Sequence, residues 1–150
     1  MSLEPGYYYI KHSKDYIGPE GGLSSPDVRV FPEFVKHSPK WCLEKAGDDS
    51  YIFWTENPGG SYTSAAAIYA GVFVRVLIPK PQTWRIIPNE RGGKDSYVIA
   101  GAYDPPRCWV APEGSGIQIL YQDLTVTGSE PPYYTPNETF QFSPAPAPPK

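Results

Sequence analysis

The sequence predicts an all-β fold in one domain. Three observations carry that expectation: a threefold internal repeat, aromatic-x-apolar alternation at the start and end of each repeat, and Pro and Gly punctuation between short apolar runs. Three segments open alike: Gly6-Tyr7-Tyr8-Tyr9-Ile10, Asp49-Ser50-Tyr51-Ile52-Phe53 and Asp95-Ser96-Tyr97-Val98-Ile99. Three others close alike: Trp41-Cys42-Leu43, Trp84-Arg85-Ile86 and Phe140-Gln141-Phe142. Tyr8 to Trp41 is 33 residues, Tyr51 to Trp84 is again 33, and Tyr97 to Phe140 is 43. The third unit therefore carries ten extra residues, which the sequence places in and around Ser129–Pro136, a stretch whose prolines bar it from a central strand.

Units too small to bury their own apolar faces must close on one another, and closure removes edge strands. The architecture that follows is a β-trefoil: three pseudo-repeats of four strands closing a barrel. The units fall at 5–47, 48–93 and 94–143, so residues 1–143 form a single domain and 144–150 a Pro-rich irregular tail. In the first unit a second strand lies around Tyr16-Ile17, and a β-branched run follows at Val28-Arg29-Val30. In the second, Ala65-Ala66-Ala67 is flanked by Tyr62-Thr63 and Val72-Phe73-Val74, which favour strand over helix. No segment sustains a helical period of apolar residues.

The 19 prolines and 14 glycines are about 22% of the 150 residues, high but below the range of a disordered chain. Formal net charge is −3 and no stretch concentrates Lys or Arg, so no nucleic-acid partner is expected. The longest apolar run, Ala65 to Ile78, contains Arg75 and is too short to span a bilayer, so no membrane association is expected either. Met1-Ser2-Leu3-Glu4-Pro5 has neither the basic start nor the apolar run of a signal peptide, which predicts a protein that is cytoplasmic or released without such a signal; a monomer is expected. Cys42 and Cys108 are too few for a disulfide scaffold and read as free thiols. Each follows or precedes a Trp, so where the Trp faces inward the Cys faces outward or into a second layer.

Little here reads as catalytic. His12 and His37 fall in no metal spacing and read as exposed loop residues; there is no phosphate loop and no Gly-x-Ser-x-Gly. Asp48, Asp49 and Asp95 sit where turns favour Asp for backbone reasons. The expectation is a protein that is no enzyme and needs no metal or cofactor. Gln82-Thr83-Trp84 resembles the Gln-x-Trp triplet of ricin-type lectins, where it is mainly structural, and it keeps a lectin as one alternative.

Function is therefore sought in loops on a rigid frame. The most notable runs from Gly18 to Val30, with three glycines that allow bending and two prolines that restrict it. The plainest reading is an ordinary long connection with Arg29 solvated on a strand.

Several strings together resemble one family. They are Gly6-x-Tyr8-x-Ile10, Trp41-x-Leu43-Glu44-Lys45 with Gly47-Asp48, Trp109-Val110-Ala111-Pro112-Glu113 with Gln118-Ile119, and Ser129-Glu130-Pro131-Pro132-x-Tyr134-x-Pro136 leading to Glu138-x-Phe140. On these residues the chain resembles the mushroom β-trefoil serine protease inhibitors of the cospin and cnispin type. The resemblance implies inhibition of trypsin-like serine proteases through a substrate-like loop between strands 2 and 3. Here that loop is Gly21, Gly22, Leu23, Ser24, Ser25, Pro26, Asp27, Val28, Arg29 and Val30. Family members tend to carry basic residues there; this chain has Asp27 in the reactive region and Arg29 as the one basic residue between Gly18 and Val30, which makes Arg29 the reactive-site candidate. Related mushroom trefoils inhibit papain-like cysteine proteases through wedge-like loops, and Gly21-Gly22 looks like such a tip, which is the second alternative.

Overall fold

The structure, a computed structural model, describes residues 3–19, 28–31, 40–47, 50–55, 64–69, 73–77, 83–89, 93, 95–101, 107–112, 118–123 and 136–145. Strands appear where the repeats predict them: β1 Gly6–His12, β2 Asp15–Pro19, β3 Val28–Phe31 and β4 Trp41–Lys45 in the first unit. The second holds β5 Ser50–Thr55, β6 Ser64–Tyr69, β7 Phe73–Leu77 and β8 Thr83–Pro88. The third holds β9 Ser96–Ala100, β10 Arg107–Val110, β11 Leu120–Asp123, one 3-10 turn at Pro136–Glu138, and β12 Phe140–Pro144.

The first and last strands of each unit form a closed antiparallel ring, β1–β4–β5–β8–β9–β12 and back to β1. The inner strands form three hairpins, β2–β3, β6–β7 and β10–β11. This is a β-trefoil. Its pseudo-symmetry extends to individual rungs: Tyr8 stands opposite Trp41, Tyr51 opposite Trp84, and Tyr97 opposite Phe140. The residues that mark the repeat in sequence are thus cross-strand partners.

The pleat sorts the side chains. Tyr51, Phe53 and Thr55 are buried, while Ser50, Ile52 and Trp54 between them are only half-buried. Trp84 and Ile86 are buried between exposed Thr83 and Arg85. The inward set converges on Trp109, which the third hairpin sends into the ring. Its indole lies 5.4 Å from Trp84, 5.5 Å from Phe53, 5.8 Å from Trp41 and 6.2 Å from Phe140, centroid to centroid. Tilted and edge-on pairs of this kind contribute about 0.5–1.5 kcal/mol each beyond area burial. Trp41 also fastens the first hairpin, its Nε1 donating to the Ile17 carbonyl at 2.8 Å.

The chain ends meet at the ring. Tyr8 and Tyr51 donate their hydroxyls to the Glu4 and Leu3 carbonyls, and Leu3 packs on the core. Burial, then the neighbouring acidic groups, holds the Tyr8 and Tyr97 phenols above the usual tyrosine range. At the other end β12 runs through Pro144, one residue into the stretch read as tail, and the Ala145 amide donates to the Tyr7 carbonyl at 2.9 Å.

The histidine expectation fails at His12. It ends β1 half-buried, its ring against Phe140 and its Nδ1 3.1 Å from the Thr139 carbonyl, because β1 pairs with β12 and carries it inward. His37 lies outside the described residues. Both cysteines are free thiols. Cys42 is half-buried beside inward-facing Trp41. Cys108 occupies a second small cluster with Val98 and Ala100, 3.9 Å from a Glu138 carboxylate oxygen.

Two predictions follow from this packing. Gly101 donates to the Arg107 carbonyl at 2.7 Å, and a Cβ there would overlap the Tyr121 hydroxyl and stand 2.8 Å from its Cζ. Gly101→Ala should therefore cost roughly 1–3 kcal/mol in urea unfolding, and Tyr121→Phe should recover part of that loss in a double-mutant cycle. An additive pair would place Tyr121 elsewhere. Burial raises the pKa of both thiols, and the Glu138 carboxylate raises that of Cys108 further. Both should stay protonated near neutral pH: reductant should leave Tm unchanged, and iodoacetamide should reach Cys108 only on unfolding. Fast native-state alkylation of Cys108 would contradict its burial.

Candidate functional site

A loop is only as well placed as the strands at its feet. Here the feet are β2 and β3, paired through Tyr16 with Phe31, Ile17 with Val30, Gly18 with Arg29, and Pro19 with Val28. Ile17, Val28 and Val30 are all buried in the central core. The Val28-Arg29-Val30 alternation thus turns two apolar anchors into the hydrophobic centre, and the indole of Trp41 grips the facing strand at Ile17.

Of the residues that the sequence singles out, Gly21, Gly22, Leu23, Ser24, Ser25, Pro26 and Asp27 lie outside the described residues. Val28, Arg29 and Val30 belong to β3 rather than to the connection itself. Arg29 is the second residue of that strand, and its backbone stands opposite Gly18. Val28 and Val30 serve as anchors; their period-2 spacing around Arg29 was the available signal.

The end rung is tied to another unit. Val28 stands opposite Pro19, and its carbonyl is directed out of the hairpin rather than toward β2. That carbonyl accepts from the Ile119 amide of the third unit, at 2.7 Å. Sequence reasoning did not reach this contact, because nothing local to residue 28 points to residue 119.

The neighbouring cations are engaged in various ways. The Lys11 ammonium lies 4.8 Å over the Tyr16 ring. Arg107 donates to the Tyr121 carbonyl at 3.0 Å, lies over the same ring, and stands 3.6 Å from Asp123. Lys14 is exposed in the tight β1–β2 turn, where Ser13 adopts φ 58°. Lys36 lies outside the described residues. Among the described residues no group of three or more His, Cys, Asp or Glu could hold a metal ion. Trp84 of the Gln-x-Trp triplet is wholly buried against Trp109 and Tyr121, so its indole is core; Gln82 lies outside the described residues. Among the described residues no helix is long and apolar enough to cross a membrane.

Comparison with known proteins agrees with the fold. The chain is similar to a serine protease inhibitor of Lentinula edodes, 32% identical over 146 residues that cover 94% of this chain and 97% of the relative. Among solved structures it matches a proteinase inhibitor from Coprinopsis cinerea with a TM-score of 0.76 at 23% identity, over 95% of this chain and 99% of that one. It also matches ThreeFoil, a designed 3-fold symmetric protein, with a TM-score of 0.59 at 17% identity, over 91% and 97% of the two chains. The last two likenesses speak to the fold. The family model for peptidase inhibitor I66 matches residues 1–144. With that match spanning nearly the whole sequence, the chain belongs to the peptidase inhibitor I66 family, a family of protease inhibitors and not of enzymes.

Proposed function

We propose that this protein inhibits trypsin-like serine proteases by presenting the β2–β3 segment to the protease cleft as a substrate would, with Arg29 entering the specificity pocket. The observation that carries the reading is the anchoring of that segment: Val28 and Val30 are buried on either side of Arg29, and the strand is already extended. A protease cleft takes its substrate in extended form, so a segment fixed in that shape loses little entropy on docking. Gly18, opposite Arg29, brings no side chain to that rung. A trypsin-like pocket carries a buried carboxylate, which a guanidinium pairs with bidentately. After cleavage at Arg29–Val30 the new ends would stay together, Val30 held by its rung with Ile17.

Inhibition of trypsin, with chymotrypsin and papain measured alongside, tests this. Arg29→Ala should weaken trypsin inhibition by about 100-fold or more while changing stability by no more than about 0.5 kcal/mol. Arg29→Lys should retain much of the activity. Undiminished inhibition by Arg29→Ala would remove Arg29 from the contact, and inhibition of papain alone would move the target to cysteine proteases.

A further inference from the structure

We propose that Ile119, in the third unit, is a positioning residue for the protease-binding segment: its amide hydrogen bond to the Val28 carbonyl holds that segment in register and keeps the inhibitor from being consumed as a substrate. The proposal rests on the β2–β3 reading above.

The brace begins at the Val28 carbonyl. At the last rung of the hairpin, where Val28 stands opposite Pro19, that carbonyl is directed away from β2 and takes its hydrogen-bond partner from another unit. Ile119 supplies it at 2.7 Å, and both residues are fully buried, where a hydrogen bond competes with no water. The brace is itself well founded. Ile119 leads into β11, whose Leu120 pairs with Val110 of β10 and with Phe73 of β7. β10 in turn joins the ring at Cys108 and Ala100, and the Ala111 amide donates to the Asn137 carbonyl at 2.9 Å. The first hairpin is thus tied to the third, through it to the second, and independently to the ring.

The consequence lies in the chemistry of cleavage. The protease serine Oγ adds to the Arg29 carbonyl carbon and the bond to the Val30 nitrogen breaks. That nitrogen leaves as an amine, carrying the proton that the catalytic base took from the serine. If both ends are held, the amine attacks the acyl carbonyl, re-forms the peptide bond and expels Oγ, which recovers its proton. If the acyl side drifts, water attacks instead, and a free Arg29 carboxylate and active protease result. Val28 precedes the acyl residue, and the Ile119 amide fixes its carbonyl in addition to the core that holds its side chain.

The test compares Ile119→Pro, which removes the donor, with Ile119→Ala, which trims the buried side chain and keeps the N–H. Both should lower Tm. Only Ile119→Pro should be cut faster at Arg29–Val30, by roughly tenfold or more, with inhibition weakened to a similar degree. Equal cleavage of the two variants, with Arg29→Ala still having lost inhibition, overturns the brace and leaves the β2–β3 reading in place. Inhibition intact in Arg29→Ala, with no cut between residues 18 and 31, overturns both. Should Ile119→Pro fail to fold, amide exchange on the native protein decides. The Ile119 N–H should be protected in the free inhibitor and exchange at least about tenfold more slowly in its complex with trypsin; an unchanged rate would contradict the proposal.

Discussion

Six hydrogen-bonded strands closed into a ring enclose a space that must be filled, and Trp109 fills it. It comes from a hairpin, not from the ring, and meets one aromatic on each of β4, β5, β8 and β12. The ring therefore cannot pack its interior without the hairpin layer, and the layer cannot be held without the ring. Within the described residues the Trp109 indole N–H is buried with no hydrogen-bond acceptor. Such an orphan costs about 1–3 kcal/mol.

From this interdependence comes the rigidity that inhibition requires. Protease inhibition by a substrate-like segment asks for no catalytic group; it asks that a short stretch be extended before binding and remain so afterwards. On the reading proposed above, the β2–β3 hairpin would meet that condition through apolar anchors at Ile17, Val28 and Val30, an indole clamp from Trp41, and a carbonyl partner at Ile119. No disulfide takes part, since both cysteines are free and lie in other layers.

Much of the fold was legible because its symmetry is written in aromatics. The spacing of Tyr8 from Trp41 and of Tyr51 from Trp84 marks strand pairs that face each other directly across the ring. Alternation around Cys42 correctly turned that thiol away from the core, whereas Cys108 met a second buried layer that no local pattern distinguishes from solvent. His12 was misread for the same reason: a polar residue at a strand end is exposed or enclosed according to which strand lies beside it, and β12 is more than a hundred residues away. At the candidate site, the paired strands β2 and β3 were visible as an apolar pair at Tyr16-Ile17 and a β-branched run at Val28–Val30. The partner of the Val28 carbonyl was not, because a backbone contact between units leaves no trace in side-chain identity.

The central claim is that protease contact is confined to the segment carried by β2 and β3 and braced by the third hairpin. Amide chemical-shift mapping of the isotope-labelled chain, titrated with catalytically inactive trypsin, tests it most directly. The account predicts large perturbations in residues 18–31, smaller ones at 118–120, and none along the ring strands β5, β8 and β9. Perturbations centred on another loop, with residues 18–31 unmoved, would contradict it.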